Sequence, residues 1–248
     1  MTVIAVGSVH GSPGASTLAL DLARHCGDGS LVIELDPDGG TLAARLDLAI
    51  RPGLTELAGA ARVGIEFDDV WNYAQPIDSG VAVVIAHPAA EQTQAALRAA
   101  AHHICAAIGQ VAATSSVPVI VDVGRLRPGS LALCAATSAD HTLVMSHNSV
   151  EAVVALTHRR QLLSTCGAPI VVLNLARPYP AADIAAASQQ QVWGTCPAGG
   201  SRRDQRRRYE ALDRLIGDLL RPASLAAEAV PDVRSQRRRY VPAQGASA

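Results

Sequence analysis

The sequence predicts an α/β protein with three layers (α/β/α), in which a mostly parallel sheet lies between two layers of helices. Two patterns predict this fold. Short apolar segments rich in β-branched residues alternate with longer segments rich in alanine and leucine, which is the order of consecutive βαβ units. The apolar segments, such as 81–85 and 117–121, are almost continuously apolar, as expected of parallel strands that are buried on both faces.

The same patterns give the positions of the elements. Strands are expected at 2–7, 31–35, 81–86, 117–123, 141–146 and 169–174. Helices are expected between and after them at 16–26, 53–62, 90–113, 129–137, 149–165 and 181–190. A last, basic helix at 201–221 has its apolar residues at helical spacing, so this side is expected to lie against the sheet. These apolar residues are Tyr209, Leu212, Leu215, Ile216 and Leu219. One domain is predicted over 1–221, followed by a disordered basic tail at 222–248 that has little to bury.

Composition limits the class of protein. The chain has 248 residues, of which 49% are apolar and 17% charged, and its formal net charge is −1. A chain of this size buries enough core to fold without disulfide bonds or metals. Its five cysteines include no C-x-x-C pair, so neither a disulfide framework nor a zinc site is expected. No apolar run approaches the roughly 20 residues that cross a bilayer, and the expected location is the cytoplasm.

The segment after the first strand is built like a phosphate-binding loop. A turn that contains Gly11 and Gly14 leads to Ser16 and Thr17, which begin an Ala/Leu-rich helix. In such loops backbone N–H groups hold phosphate, a hydroxyl binds Mg²⁺ and a lysine neutralises phosphate charge. The lysine position, between Gly14 and Ser16, is Ala15. All 21 basic residues of the chain are arginines, but a general preference for arginine does not explain an alanine here.

Polar residues also follow three other predicted strands. Glu34 and Asp36 belong to the segment Glu-Leu-Asp-Pro-Asp-Gly-Gly at 34–40, after the second strand. Asp122 lies near the end of the strand at 117–123, and Asn174 ends the strand at 169–174. Because parallel sheets bind ligands at the carboxyl ends of their strands, these residues are expected near the phosphate-binding loop.

This set of motifs, in this order, resembles the MinD/ParA family of deviant-Walker P-loop ATPases. The pattern of that family is K-G-G-x-G-K-[T/S]-T, then D-x-D-P-Q-G, then an apolar strand that ends in Asp, and later an Asn. The resemblance covers about residues 1–200 and is closest at 34–39, which keeps the spacing and the proline of the second motif. It implies a P-loop NTPase fold, ATP with Mg²⁺ as the ligand, and a homodimer.

The resemblance also implies a role for each matching residue. Asp36 matches the switch aspartate that positions the attacking water, and Asp122 matches the Walker B acid that acts on Mg²⁺ through water. Ser16 matches the direct Mg²⁺ ligand, Thr17 a phosphate contact and Asn174 the contact with adenine. The implied nucleotide-binding set is Gly11, Gly14, Ala15, Ser16, Thr17 and Asn174. Capping of turns and helices is the alternative role for both aspartates.

The chain departs from the family at two lysine positions. Ala15 replaces the Walker lysine, and His10 stands where the signature lysine reaches across the dimer. A charge-assisted hydrogen bond contributes about 1.5–3 kcal/mol, so its loss leaves weak binding of Mg-ATP through backbone amides and the metal. Phosphoryl transfer depends mainly on positioning and charge stabilisation, so weak or no hydrolysis is expected. Arg125 and Arg127, which follow Asp122, are candidates to replace the missing charge.

Other classes of site have less support. Glu34 follows the glycine turn by about 20 residues, as a ribose-binding acid does, but the turn lacks the G-x-G-x-x-G spacing of dinucleotide sites. His102 and His103 have no spaced partner that would indicate a metal. A serine hydrolase of the α/β type needs a G-x-S-x-G elbow, which the sequence does not contain.

Charge is unevenly distributed along the chain. Residues 1–200 hold 10 arginines and 16 acidic residues, whereas residues 201–248 hold 11 arginines and 6 acidic residues. The arginine clusters are Arg202, Arg203, Arg206, Arg207 and Arg208, and then Arg237, Arg238 and Arg239. Such clusters suit nonspecific contact with DNA or with an anionic membrane surface. A solubilising tail is the alternative.

The combined prediction is a MinD/ParA-like protein with a degenerate Walker A motif that positions or assembles a cellular machine. Its nearest functional resemblance is to the CpaE/TadZ-type factors, which localise secretion or pilus machinery. The expected partners are a second copy of the chain and a protein of a secretion, pilus or partition system, with recruitment to nucleoid or membrane. Two alternatives stay open: an active ATPase that partitions DNA or cargo with a cation supplied in trans, and a nucleic-acid-binding adaptor that uses the basic C-terminal segment.

Overall fold

The strands of the chain form one sheet in the computed structural model, which describes residues 2–10, 14–26, 29–64, 67–77, 80–114, 118–167, 169–174, 178–197 and 202–219. The strands are β1 (Val3–Ser8), β2 (Leu31–Glu34), β3 (Gln75–Pro76), β4 (Ala82–Val84), β5 (Val119–Arg125), β6 (His141–Ser146), β7 (Ile170–Leu173) and β8 (Gln191–Thr195). Their order across the sheet is β3-β4-β2-β5-β1-β6-β7-β8. The β3–β4 pair is antiparallel and the other neighbours are parallel. The predicted, mostly parallel sheet is confirmed.

Helices cover both faces of this sheet. They are α1 (Ala15–His25), α2 (Leu42–Leu46), α3 (Leu54–Ala61), α4 (Ala90–Thr114), α5 (Leu133–Ser138), α6 (Val150–His158), α7 (Arg160–Ser164), α8 (Ala181–Ser188) and α9 (Arg202–Leu219), with a 3₁₀ helix at Phe67–Tyr73. Successive side chains of a strand point to opposite faces. Val3 and Ala5 therefore join a core with α3 to α8, while Ile4 and Val6 join a core with α1, α2 and α9. The three predicted layers are confirmed.

The structure adds elements that the sequence patterns did not predict. Strand β8 is only partly buried, so its sequence lacks the continuous apolar run of a central strand. Strand β3 and helix α2 have two and five residues, which is too short for a periodic pattern. The single helix predicted at 149–165 is wrong, because Arg159 leaves helical geometry (φ −96°, ψ 3°) and separates α6 from α7.

Helix α9 lies against the sheet face that carries α1. Its residues Leu212, Leu215 and Leu219 are buried, as the apolar spacing predicts. Tyr209, which was predicted on the same side, is 61% exposed, so that part of the prediction is wrong. The predicted tail at 222–248 lies outside the described residues. Within the part of the chain that the structure describes, none of the helices is long and apolar enough to span a bilayer.

Two cysteine side chains meet between α4 and α5. Cys105 Sγ lies 2.8 Å from Cys134 Sγ, and both are free thiols. A hydrogen bond from Cys105 lowers the pKa of the Cys134 thiol to about 7. The thiolate is the reactive form of cysteine, so this pair is placed to react with a mild oxidant at neutral pH.

Oxidation with diamide is expected to join Cys105 and Cys134, because the two sulfur atoms already touch and one of them ionises readily. Diamide takes up the two hydrogens that the thiols lose. Titration of thiols in denaturant should then fall from five to three per chain. The Cys134→Ser variant should keep its remaining four thiols at low protein concentration. An unchanged count of five in the oxidised wild type would contradict this prediction.

Candidate functional site

The carboxyl ends of β1, β2 and β5 border one polar cleft of about 390 Å³. Gly14 and the start of α1 line one side and the loop after β2 lines the other. The lining residues are Ser8, Gly14, Ala15, Ser16, Thr17, Asp36, Asp38, Gly39, Thr41, Arg45, Gly124 and Arg125. The predicted residues Gly14, Ala15, Ser16, Thr17 and Asp36 thus lie together, as the order of the strands requires.

Helix α1 begins in this cleft. Gly14 precedes it in the left-handed region (φ 98°), a conformation that favours glycine. Within the described residues, α1 has no side-chain cap and no acidic residue in its first turn. The first N–H groups of a helix have no partner inside the helix and carry partial positive charge. This end of α1 can therefore bind an anion such as phosphate.

Asp122 lies within β5, beside the cleft, and is fully buried. Its Oδ1 atom accepts the backbone N–H of Gly124 at 3.1 Å. Its Oδ2 atom is buried and has no hydrogen-bond partner among the described residues. Burial raises the pKa of Asp122 to about 6, although the nearby Ser16 hydroxyl and the N–H of Gly124 oppose the rise.

The Ser16–Asp122 pair fits Mg²⁺. A hydroxyl and a buried carboxylate oxygen are hard oxygen donors of the kind this ion prefers, and an orphaned buried oxygen gains a partner when a cation binds. The described residues hold no cluster of three or more His, Cys, Asp or Glu side chains that would form a metal site by itself.

Asp36 is held at the rim by the backbone around it. Its Oδ1 accepts the N–H of Asp38 at 2.9 Å, and its carboxyl group fills the space where a side chain on Gly124 would lie. Burial raises the pKa of Asp36, and the positive charges of Arg125 and Arg127 act in the opposite direction. These contacts fix the position of the Asp36 carboxylate at the rim of the cleft.

Glu34 has a structural role that the sequence did not reveal. It is 1% exposed, and its Oε1 accepts the N–H groups of Thr41 (2.8 Å) and Leu42 (3.1 Å). Its Oε2 accepts the N–H of Ala86 at 3.0 Å. Burial raises the pKa of Glu34 to about 7. Because both oxygens are occupied and buried, Glu34 does not bind a ribose, and the dinucleotide alternative is wrong.

Solved structures with a similar fold include ATPases and a synthase. The cell division ATPase MinD of Pyrococcus furiosus matches with a TM-score of 0.67 and 13% identity, over 88% of this chain and 99% of that one. The ParA family ATPase of Chlorobium tepidum TLS matches with a TM-score of 0.66 and 13% identity, over 88% and 92%. Cobyrinic acid a,c-diamide synthase of Mycobacterium smegmatis, with a bound ATP analogue and magnesium, matches with a TM-score of 0.62 and 19% identity, over 87% and 94%. No protein-family model and no curated protein sequence matches the chain.

The chain has the MinD/ParA fold. At this level of identity the likeness establishes the fold alone, so the chemistry of the site depends on the residues of the cleft. In this MinD/ParA fold Gly14, Ser16 and Asp36 line one cleft, and Asp122 lies next to Ser16. Gly11, the remaining glycine of the predicted nucleotide-binding set, lies outside the described residues.

Asn174 lies at the same edge of the sheet but apart from the cleft. It follows β7, which β6 separates from β1, and it does not line the cleft. Its Nδ2 is 2.7 Å from Nδ1 of His147, a residue that sequence reasoning did not connect with it. The predicted contact between Asn174 and adenine stays a prediction.

Three arginines lie at or near the cleft of this MinD/ParA fold. Arg127 forms a salt bridge with Asp38 at 2.8 Å, so its charge is already paired, whereas Arg125 lines the cleft. The third, Arg45 on α2, also lines the cleft and donates from Nη2 to Thr17 Oγ1 at 3.0 Å. Sequence reasoning missed Arg45 because it did not predict α2. The position of Arg45, nine residues after Asp36, is only a weak indication that it lies near the cleft.

The arginine cluster that begins α9 is not uniformly available for an anionic partner. Arg208 is 7% exposed; it binds the Asp21 carboxylate, and it donates to the Pro197 carbonyl at 2.8 Å. Its predicted contact with DNA or membrane is therefore wrong, because it fastens α9 to α1. Arg203, Arg206 and Arg207 are exposed, and the side chain of Arg202 lies outside the description. The second predicted cluster, Arg237 to Arg239, lies outside the described residues.

Proposed function

We propose that this chain binds Mg-ATP weakly in the cleft and acts in the positioning or assembly of a cellular machine, with little or no ATP hydrolysis. One observation carries the proposal. The uncapped start of α1, Ser16 and Asp36 line one cleft, and the buried Asp122 lies next to Ser16, but Ala15 stands where the resembled family has its lysine. The cleft keeps groups that can hold phosphate and magnesium and lacks the loop lysine that supports hydrolysis in the resembled family.

Each group of residues at the cleft would have its own role in binding Mg-ATP. The backbone N–H groups at the start of α1 would bind phosphate oxygens, and Ser16 and Asp122 would hold the metal. When bound, Mg²⁺ neutralises phosphate charge. Asp36 would orient a water molecule from the opposite side of the cleft. Without a lysine at position 15, less charge is available to stabilise phosphoryl transfer.

The positioning role is supported by the kinds of protein that share the fold. Structures similar to this chain include a cell division ATPase and a plasmid partition protein from Borrelia burgdorferi. We infer that this chain acts as a homodimer with a protein partner of a secretion, pilus or partition system, as CpaE/TadZ-type factors do. A loop without the Walker lysine suits a role that depends on the shape of the protein and on whether nucleotide is bound, more than on the turnover of ATP.

Restoring the lysine tests the proposal. Ala15→Lys is expected to strengthen Mg-ATP binding by about 10- to 100-fold, because one charge-assisted hydrogen bond contributes about 1.5–3 kcal/mol. It is also expected to raise phosphate release above that of the wild type. Binding is measured by calorimetric titration with Mg-ATP and with ATP in EDTA, and turnover by release of inorganic phosphate.

The control is Ala15→Gln, which adds a polar side chain without a charge and should bind no more tightly than the wild type. Turnover by the wild type at the rate of the lysine variant would show an active ATPase and remove the degenerate part of the proposal. Failure of the wild type and of Ala15→Lys to bind Mg-ATP at millimolar concentration would contradict the nucleotide site itself.

A further inference from the structure

Arg45 places a positive charge near the start of α1, the end of the helix that is expected to bind the phosphates. The residue lies on α2 and is exposed on the cleft side. Its guanidinium donates to Thr17 Oγ1, at the start of α1, at 3.0 Å. It is also near enough to Asp122 for the two charges to interact. The guanidinium is therefore close to the hydroxyl that the family resemblance assigns to phosphate, on the same side as the buried acid.

The position of Arg45 is fixed by the buried carboxylate of Glu34. Glu34 binds the N–H groups of Thr41 and Leu42, which begin α2, and the side chains of Leu42 and Ala43 are buried. Helix α2 is thus anchored at its first residues, three to four positions before Arg45. The guanidinium extends from a fixed helix and not from a free loop.

The charge of Arg45 is also available. Among the described residues no carboxylate forms a salt bridge with it, whereas Arg127 is paired with Asp38. Arg125 lines the cleft, but its charge acts on Asp36, across from α1. An arginine stays protonated at all physiological pH values and presents several N–H donors in one plane, which matches phosphate oxygens.

We propose that Arg45 supplies the cation of the phosphate site, in place of a lysine at position 15, and that the site recognises the diphosphate or triphosphate group of a nucleotide. This inference rests on the proposed function. It places the positive charge on α2 and not on the phosphate loop, so that bound phosphate would connect the loop after β2 with the start of α1.

The test compares the binding of Mg-ATP and of magnesium pyrophosphate to four proteins by calorimetric titration. Arg45→Ala is expected to weaken both by about 10-fold or more, since a hydrogen bond to a charged group is lost. Arg45→Lys should keep part of the affinity. The matched control is Arg51→Ala, which removes one exposed positive charge at a residue whose guanidinium contacts Glu56 outside the cleft, and it should bind within about 2-fold of the wild type.

A fifth protein tests whether a positive charge elsewhere in the cleft is sufficient for binding. Adding Ala15→Lys to Arg45→Ala is expected to restore binding, because the lysine would return a cation to the same cleft. Thermal unfolding of every variant should match the wild type, since Arg45 is exposed.

Three results would overturn the inference. If the wild type binds Mg-ATP and Arg45→Ala binds it equally well, Arg45 is not the cation and the proposed nucleotide site still stands. If Arg45→Ala binds more tightly, the guanidinium blocks the cleft. If neither the wild type nor Ala15→Lys binds Mg-ATP or pyrophosphate, the proposed function fails together with this inference.

Discussion

Replacement of Glu34 by glutamine should lower the free energy of unfolding by about 3 kcal/mol at pH 5. The carboxyl group accepts three backbone N–H groups in a site that water does not reach. A glutamine has one oxygen, so its NH₂ group must face either the N–H of Ala86 or those of Thr41 and Leu42. A buried donor left without an acceptor costs about 1–3 kcal/mol. Denaturation with urea, followed by circular dichroism, measures the difference.

The effect of the Glu34→Gln substitution should depend on pH. Burial raises the pKa of Glu34 from 4.5 to about 7, so the folded protein keeps a proton that the unfolded chain loses above about pH 4.5. The unfolded state binds fewer protons in this range, and the free energy of unfolding therefore falls as the pH rises from about 4.5 to about 7. Glu34→Gln should lose this part of the pH dependence, so its destabilisation should be larger at pH 5 than at pH 8.

Glu56→Gln provides the control for this prediction. Glu56 also accepts a backbone N–H at the start of a helix, that of Gly53 at 3.1 Å, but its side chain is 29% exposed. Water can replace the lost acceptor, and a change below about 1 kcal/mol is expected. Equal destabilisation by the two substitutions would contradict the anchoring role of Glu34. Helix α2 should loosen only in Glu34→Gln, which hydrogen exchange at Thr41 and Leu42 would detect.

Gly124→Ala should destabilise the protein by about 3 kcal/mol and displace Asp36 from the cleft. A Cβ atom on Gly124 would lie 2.2 Å from Cγ of Asp36, far inside contact distance. Gly124 also has a φ of +61°, which disfavours alanine by roughly 1–2 kcal/mol. The steric conflict with Asp36 and the backbone strain at position 124 therefore both destabilise the variant. Urea denaturation measures the loss, and NMR shifts at Asp36 and Asp38 report the movement of the loop.

Two variants separate these causes. Gly129→Ala has the same backbone demand (φ +75°) but no neighbouring atom within 4 Å of its Cβ, so it should cost about 1 kcal/mol. In an Asp36→Ala background the carboxyl group is gone, and Gly124→Ala should then cost no more than Gly129→Ala. If its cost is the same with and without Asp36, the two residues are not in contact and the described packing is wrong.

Much of the fold was predictable because it depends on local patterns. Continuous apolar runs placed β1, β2, β4, β5, β6 and β7 in the chain, and Leu212, Leu215 and Leu219 predicted the buried side of α9. The edge strand β8 and the short helix α2 were not predicted, because a half-buried strand and a five-residue helix produce no clear hydrophobic periodicity. Element boundaries shifted where single residues, such as Arg159, left the regular geometry.

The candidate site was predictable to the same extent. Ser16 and Asp36 follow parallel strands and Asp122 lies within β5, and the carboxyl ends of such strands share one edge of the sheet. Their convergence required only the order of the elements. The use of Glu34 and the burial of Arg208 were not predictable, because each depends on partners from other elements; Arg208 and Asp21, for example, are 187 positions apart.

The order of residues was enough to predict the three-layer α/β fold, the alanine at the lysine position and the polar residues at the sheet edge. Which charges face that edge depended on the packing of separate elements. That packing paired Arg127 with Asp38, buried Arg208 and brought Arg45 to Thr17, 28 positions away in the chain. The physical reason is that strand and helix patterns follow from neighbouring residues, whereas the direction of a long charged side chain depends on where separate elements come to rest.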